Sequence, residues 1–161
     1  MHQWKLDDRT VSVSMLERFT NLMNAVPEVQ DWMTHHQVDV QGWKSDLHCS
    51  AYYDSIGNDA GYAEEISAHL QTRYNMHLES LWLGQQGIGM EACLTVKQQE
   101  LWNQPEMTIP HVTISVSQEC HAKYIRRMIT NLKESCEGKL VGNFQGALLY
   151  AIGENGFCWE L

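Results

Sequence analysis

The spacing of apolar residues in the first 40 positions of the chain predicts two helices. Apolar residues recur at helical spacing over 14–25, where Ser14 is a candidate cap and Glu17 follows three residues later. A proline interrupts this pattern at the start of a second short helix, which is predicted over 27–33. We therefore expect an N-terminal helical segment at 1–40 that packs its apolar faces against the remainder of the protein.

The rest of the chain predicts the same order of strands and helices in each of its two halves. In the first half we expect a strand, a helix and two strands joined by a Gln85-Gln86 turn, at 46–53, 62–74, 78–84 and 87–96. The second half repeats strand, helix and two strands, and a last strand closes the sheet, at 111–116, 120–136, 140–144, 147–152 and 156–161. This internal duplication predicts a first lobe at 41–103 and a second lobe at 104–161.

Composition predicts one globular domain, residues 1–161, since 43% of the residues are hydrophobic and 19% are charged. The five cysteines are odd in number and form no CxxC pair, so they indicate reduced thiols rather than a disulfide framework or a zinc ribbon. The N-terminus lacks the apolar core of a signal peptide, and no later stretch approaches the ~20 apolar residues of a membrane span. These features predict a cytoplasmic protein that does not cross a membrane.

The formal net charge of -9 opposes the counterion release by which proteins bind long nucleic acids. Basic residues nevertheless cluster late in the chain, at Lys123, Arg126, Arg127, Lys133 and Lys139. Arg126 and Arg127 are predicted either as part of a solvated helix face or as contacts to phosphate. The charge balance favours a small nucleotide over long nucleic acid as the ligand.

Two short motifs carry the candidate chemistry, His48-Cys49-Ser50 and His111-Val112-Thr113. Because side chains alternate along a strand, each motif puts an imidazole and a hydroxyl on one face and turns its middle residue to the other. Cys49 is therefore predicted as a buried structural cysteine rather than a nucleophile. If a pseudo-twofold axis relates the two halves, all four polar groups face one groove. Phosphodiester cleavage needs a base, an acid and donors to the non-bridging oxygens, which two histidines and two hydroxyls supply without a metal.

In these motifs the chain resembles the two-histidine (2H) phosphoesterases, the superfamily that includes LigT-like RNA ligases and 2′,3′-cyclic nucleotide phosphodiesterases. Its hallmark is a pair of His-x-Thr/Ser motifs with hydrophobic flanks, and the second motif, Pro-His-Val-Thr-Ile-Ser-Val at 110–116, matches it well. The first departs from it, because Ser50 stands for the commoner threonine and Cys49 for an apolar β-branched residue. The resemblance covers residues 40–161 and leaves the N-terminal helices unexplained.

The resemblance implies an α+β fold of two pseudo-twofold lobes, each a small, mostly antiparallel sheet with a helix outside, around a central groove. It implies that His48 and His111 are catalytic and that Ser50 and Thr113 bind phosphate. The substrates it implies are a cyclic dinucleotide, a 2′-5′ oligoadenylate or a 2′,3′-cyclic phosphate, cleaved without a metal or cofactor. Several viral and phage members of the superfamily destroy nucleotide messengers of immunity.

Three further side chains are candidates for substrate binding. Tyr52 shares the face of His48 by strand parity, and Trp82 faces away from its apolar neighbours, so either could stack on a base. Ser115 shares the face of His111 by the same parity. Each has a second interpretation, since most tryptophans lie in a core and Ser115 could simply be the last polar side chain on that face of the strand.

Other interpretations of the whole chain stay open from sequence. The motif histidines could be strand residues bound to backbone partners, with the duplication accidental. A nucleotide-binding or interaction module could keep this fold without turnover, as the weaker first motif permits. The remaining histidines, among them His35, His36, His69, His77 and His121, show no spacing that sets two rings on one face for a metal.

Overall fold

A computed structural model describes residues 2–6, 13–40, 47–52, 76–102, 104, 108–135, 138–144 and 146–160. The turn-rich stretch at 54–61 and the predicted helix at 62–74 lie outside the described residues. Within them the chain combines helices with an antiparallel sheet, which confirms the predicted α+β class.

The four described helices are α1 Val13–Ala25, α2 Pro27–His35, α3 Val96–Leu101 and α4 Lys123–Glu134. The two predicted N-terminal helices are confirmed, but α1 starts before Ser14, so the prediction of Ser14 as its cap is wrong. α3 begins with a capping box, in which Thr95 and Gln98 exchange side-chain and backbone hydrogen bonds of 2.9 and 3.1 Å. None of the described helices is long and apolar enough to cross a membrane.

Eight described strands form one sheet in the order β1-β2-β5-β4-β3-β8-β7-β6, and every neighbouring pair is antiparallel. Their bounds are β1 His2–Lys5, β2 His48–Tyr52, β3 His77–Gly84, β4 Gly87–Cys93, β5 His111–Val116, β6 Gly138–Phe144, β7 Ala147–Ile152 and β8 Gly156–Glu160. The sequence did not predict β1. The prediction that the last strand closes the sheet is wrong, because β8 lies inside it between β3 and β7.

One strand of the second predicted lobe lies among the strands of the first. β5, from the second half of the chain, lies between β2 and β4 from the first half and pairs with both. The family resemblance implied two small sheets, whereas the described strands join a single one. The reason is that β5 uses the hydrogen bonds of both its edges on strands of the other half.

Helices cover both faces of the sheet. The core of one face contains α1 and α2, whose Phe19, Leu22 and Val29 pack among strand residues such as Leu81 and Ile114. On the other face α4 buries its apolar side over Trp82, Ile152 and Cys158, through Ile125, Met128, Ile129 and Leu132. The candidate motif residues lie on the face that α4 partly covers.

Candidate active site

The two motif strands are direct neighbours in the sheet. β2 and β5 run antiparallel, and Cys49 is the register partner of Val112. Continuing this register by one residue in each direction sets His48 opposite Thr113 and Ser50 opposite His111. Paired residues project to the same face, so the two imidazoles and two hydroxyls form a square with the histidines on one diagonal. Diagonal neighbours of this kind lie roughly 7–8 Å apart, a gap that one phosphate group can fill.

The middle residues of both motifs point into the core on the opposite face. Cys49 and Val112 are fully buried among the residues that α1 and α2 cover. Burial raises the pKa of the Cys49 thiol to about 12, although a hydrogen bond from the His111 backbone opposes that rise. The predicted burial of Cys49 is confirmed, and a thiol with such a pKa is a poor nucleophile near neutral pH.

His111 is held in one tautomer. Its Nδ1 lies 2.8 Å from the carbonyl oxygen of Ile109, and because a carbonyl can only accept, Nδ1 carries the proton. Burial lowers the pKa of His111 below its usual value, and the nearby charges of Arg126 and His48 lower it further, against the effect of the Ile109 bond. Near neutral pH the ring is therefore uncharged, and its Nε2 is a proton acceptor.

Strand β1 borders the first motif. Lys5 is the register partner of His48 and Gln3 is that of Ser50, so both share the face of the motif residues. The Lys5 side chain is exposed, whereas Gln3, His48 and Ser50 are partly buried. The N-terminal strand thus adds one cation and one amide to the edge of the motif square.

Strand β4 and helix α4 border the second motif. Glu91 is the register partner of His111 and forms an ion pair with Lys133 of α4. Gly89 is the partner of Thr113, and a Cβ at Gly89 would approach Ile129 to 2.7 Å. The missing side chain of this glycine lets α4 pack directly beside Thr113, so the helix forms one wall of the site.

Trp82 has the predicted orientation but not the predicted exposure. It faces away from Leu81 and Leu83, on the same side of the sheet as Thr113, with Gly89 between them. It is only 7% exposed beneath α4, and its Nε1 has no hydrogen-bond partner among the described residues. These features are those of a core tryptophan, so a groove position for Trp82 is not observed.

The shared face predicted for Ser115 is also not observed. The pairing of β4 with β5 shifts between Ile88 and Gly89, so that Ile88 faces Ser115 while Gly89 faces Thr113. Such a bulge reverses the alternation. Ser115 is consequently fully buried, opposite a residue of the core that α1 and α2 cover. Tyr52 lies in β2, but its side chain is outside the described structure.

Sequence reasoning missed three residues around the motif square and did not connect a fourth to it. Lys5 and Gln3 were missed because β1 was not predicted, although polar Gln3 and Lys5 alternate with apolar Trp4 and Leu6, a pattern typical of a strand. Arg126 was considered for phosphate but nothing linked it to His111, which it influences electrostatically. For Glu91 the sequence contains no signal, since only the register of β4 with β5 brings it beside His111.

No group of three or more histidine, cysteine, aspartate or glutamate side chains among the described residues could hold a metal ion. The lack of such a group does not test whether the reaction needs a metal, so metal independence stays a prediction.

A scan against protein-family models found no match to this chain, and a search of curated proteins found none either.

Proposed function

We propose that this protein is a metal-independent phosphodiesterase that cleaves a small nucleotide by paired-histidine acid and base catalysis. The observation that carries the proposal is the antiparallel pairing of β2 with β5 around Cys49 and Val112. That pairing brings two imidazoles and two hydroxyls, which lie 63 positions apart in sequence, onto one face of the sheet.

The proposed reaction uses His111 as the base and His48 as the acid. The neutral His111 ring takes the proton of the attacking oxygen at Nε2, since Nδ1 is already bonded to Ile109. As the attacking oxygen forms its bond to phosphorus, the bond to the leaving oxygen breaks, and protonated His48 gives that oxygen a proton. The attacking group is water or a ribose hydroxyl.

The remaining groups stabilise negative charge on the phosphate. The Ser50 and Thr113 hydroxyls donate to non-bridging oxygens, which are most negative in the transition state. Arg126, near His111, and Lys5, beside His48, add positive charge on two sides of the square. The formal net charge of -9 of the whole chain favours a compact substrate, and we propose a cyclic dinucleotide, a 2′-5′ oligoadenylate or a 2′,3′-cyclic phosphate.

The two-lobed architecture and the cytoplasmic location belong to this proposal as well. A pair of antiparallel strands has a local twofold axis, and β2 and β5 carry equivalent motifs about such an axis. This local symmetry supports a pseudo-twofold groove centred on the motif square, even though the strands join one sheet.

The test is a screen of the three substrate classes with the purified protein in excess EDTA. We expect turnover of at least one class at a rate that EDTA leaves unchanged. Loss of activity on chelation, restored by added metal, would remove the metal-independent mechanism. Nucleotide affinity without turnover by any class would identify the alternative, a binding module on the same fold.

A further inference from the structure

A second cleft lies on the other side of α4. It has a volume of about 420 Å³ and is bounded by α4, by the β3–β4 turn at Gln85 and Gln86, and by the β7–β8 turn at Asn155. Volumes of this size are typical of small-molecule sites. Arg126 and Lys133, seven residues apart, belong to the side of α4 toward His111 and Glu91.

The residues on the cleft side of α4 form a separate row. Arg127, Asn131 and Ser135 follow one another at intervals of four, the spacing that lines one side of a helix. Tyr124 begins the same side and is 49% exposed. The cleft is therefore separated from the histidines by the width of the helix.

The walls of the cleft are fixed by the fold. Ser117 bonds both carbonyls of the β3–β4 turn, through its Oγ to Gln85 at 2.8 Å and through its backbone N–H to Gln86 at 2.9 Å. The floor consists of Met128 and Leu132, which pack closely against Gly84 at the start of that turn. A site formed in advance loses little free energy to reorganisation when a ligand binds.

The polar groups of the cleft suit a ligand that carries an anionic group on a polar molecule. Arg127 is the one charged residue among the described residues of its lining, and it forms no ion pair within the described structure. The side chains of Gln86, Asn131 and Asn155 likewise have no hydrogen-bond partner among those residues. An uncompensated guanidinium can bind phosphate through two hydrogen bonds. Carboxamides and a tyrosine ring can then contact a sugar or base.

We infer that this cleft binds a small phosphate monoester, with Arg127 on the phosphate and the carboxamides of Gln86, Asn131 and Asn155 on the sugar or nucleoside. The volume admits a group of nucleotide size, and the absence of carboxylates from the described lining favours an anion over a cation. The inference is independent of whether the histidines cleave a nucleotide.

The test titrates the full-length, isotope-labelled protein separately with adenosine 5′-monophosphate, ribose 5-phosphate and inorganic phosphate, followed by amide NMR. We expect saturable shifts at Tyr124, Asn131 and Asn155 with both organic phosphates. A larger affinity for the adenosine compound would assign contacts to the base, and equal affinities would assign them to the sugar phosphate. Because the signals are site-specific, a nucleotide bound at the histidines is distinguished from one in the cleft.

Substitutions test whether the Arg127 guanidinium is responsible for phosphate binding in the cleft. Arg127→Gln should weaken binding in the cleft about tenfold or more, the effect of losing a charged hydrogen bond. Lys139→Gln removes the same charge from an exposed position on β6 and should leave the affinity unchanged. The inference is overturned if these amides show no saturable shift, if inorganic phosphate binds as tightly as both organic ligands, or if Arg127→Gln binds like the wild type.

Discussion

At the scale of single residues, the two motif histidines occupy different environments despite their similar sequences. His111 has one ring nitrogen bonded to Ile109 and a pKa lowered first by burial. His48 lies nearer the sheet edge, beside the exposed Lys5. An acid–base pair needs one neutral and one charged ring, and the lowered pKa of His111 suits that ring to the neutral role.

Removing either imidazole should therefore stop most of the proposed reaction. We expect His48→Ala and His111→Ala each to lower the rate about 10²–10⁴-fold, and the double variant to lose less than the product of the two, because the rings act as a unit. Ser50→Ala and Thr113→Ala should be milder, since proton transfer remains. Steady-state kinetics on the substrate found by the screen provide the measurement. His77→Ala, at an exposed position on β3, is the matched control.

This prediction fails if a folded His111→Ala protein turns over substrate at the wild-type rate. Circular dichroism of each variant checks that the fold is intact. The rate should also follow a bell-shaped dependence on pH, with the acidic limb set by protonation of the base.

The lowered pKa of His111 also predicts a dependence of stability on pH. In the unfolded chain this ring titrates near pH 6.5, and in the folded protein it titrates lower. The stability that neutral His111 contributes is therefore complete above about pH 6.5 and is lost as the pH falls toward the folded pKa, by at most about 1.4 kcal/mol per pH unit. Urea unfolding between pH 7.5 and about 5 should show a smaller loss for His111→Gln than for the wild type. Equal losses would show that the ring does not titrate differently in the two states.

At the scale of elements, helix α4 organises both candidate sites. Its apolar side packs on the sheet over Trp82 and Gly89, which fixes the helix beside Thr113. One flank brings Arg126 and Lys133 toward the motif face, and the other presents Arg127 to the cleft. Substituting residues that hold α4 on the sheet should therefore lower the free energy of unfolding more than it changes substrate binding.

Trp82 provides a direct test of that packing. Trp82→Ala should cost about 3–5 kcal/mol of unfolding free energy, the usual effect of removing a buried aromatic ring. Trp82→Phe should cost much less, because the lost indole N–H has no partner in the described structure. Chemical denaturation measures both, and KM for Trp82→Phe should equal that of the wild type. A stable Trp82→Ala protein with weakened substrate binding would instead support the stacking role predicted from sequence.

At the scale of the whole molecule, the charge distribution limits which ligands can approach. The chain has 20 acidic and 11 basic residues, yet Lys5, Arg126 and Arg127 form no ion pair with a carboxylate among the described residues, and they border the two candidate sites. Local positive charge on an acidic protein attracts small anions, while the overall field repels a long polyanion. Substrate size is therefore expected to be selected partly by electrostatics.

That balance predicts weak binding of long nucleic acid. At physiological salt we expect a single-stranded RNA of roughly 30 nucleotides to compete poorly with a small nucleotide substrate, because few of its phosphates would meet basic residues. Inhibition of turnover by the RNA over a range of salt concentrations measures this. Strong inhibition that weakens steeply with salt would indicate an extended basic surface and contradict the prediction.

The sequence alone determined most of the local structure. The spacing of Phe19, Leu22 and Met23 predicted the buried side of α1, and the observed bounds of β5 and β7 equal the predicted ones. The alternation around Cys49 predicted its burial correctly. These features follow from the periods of helix and strand, which neighbouring residues encode by themselves.

The tertiary structure decided which strands became neighbours. Nothing local to β2 or β5 specifies that they pair, and only that pairing brings His48 and His111 to one face. The same holds for β8 inside the sheet, for the bulge that turns Ser115 inward and for α4 covering Trp82. Each depends on hydrogen bonds or contacts between residues far apart in the chain, and the free energy of those contacts is absent from any short stretch of sequence.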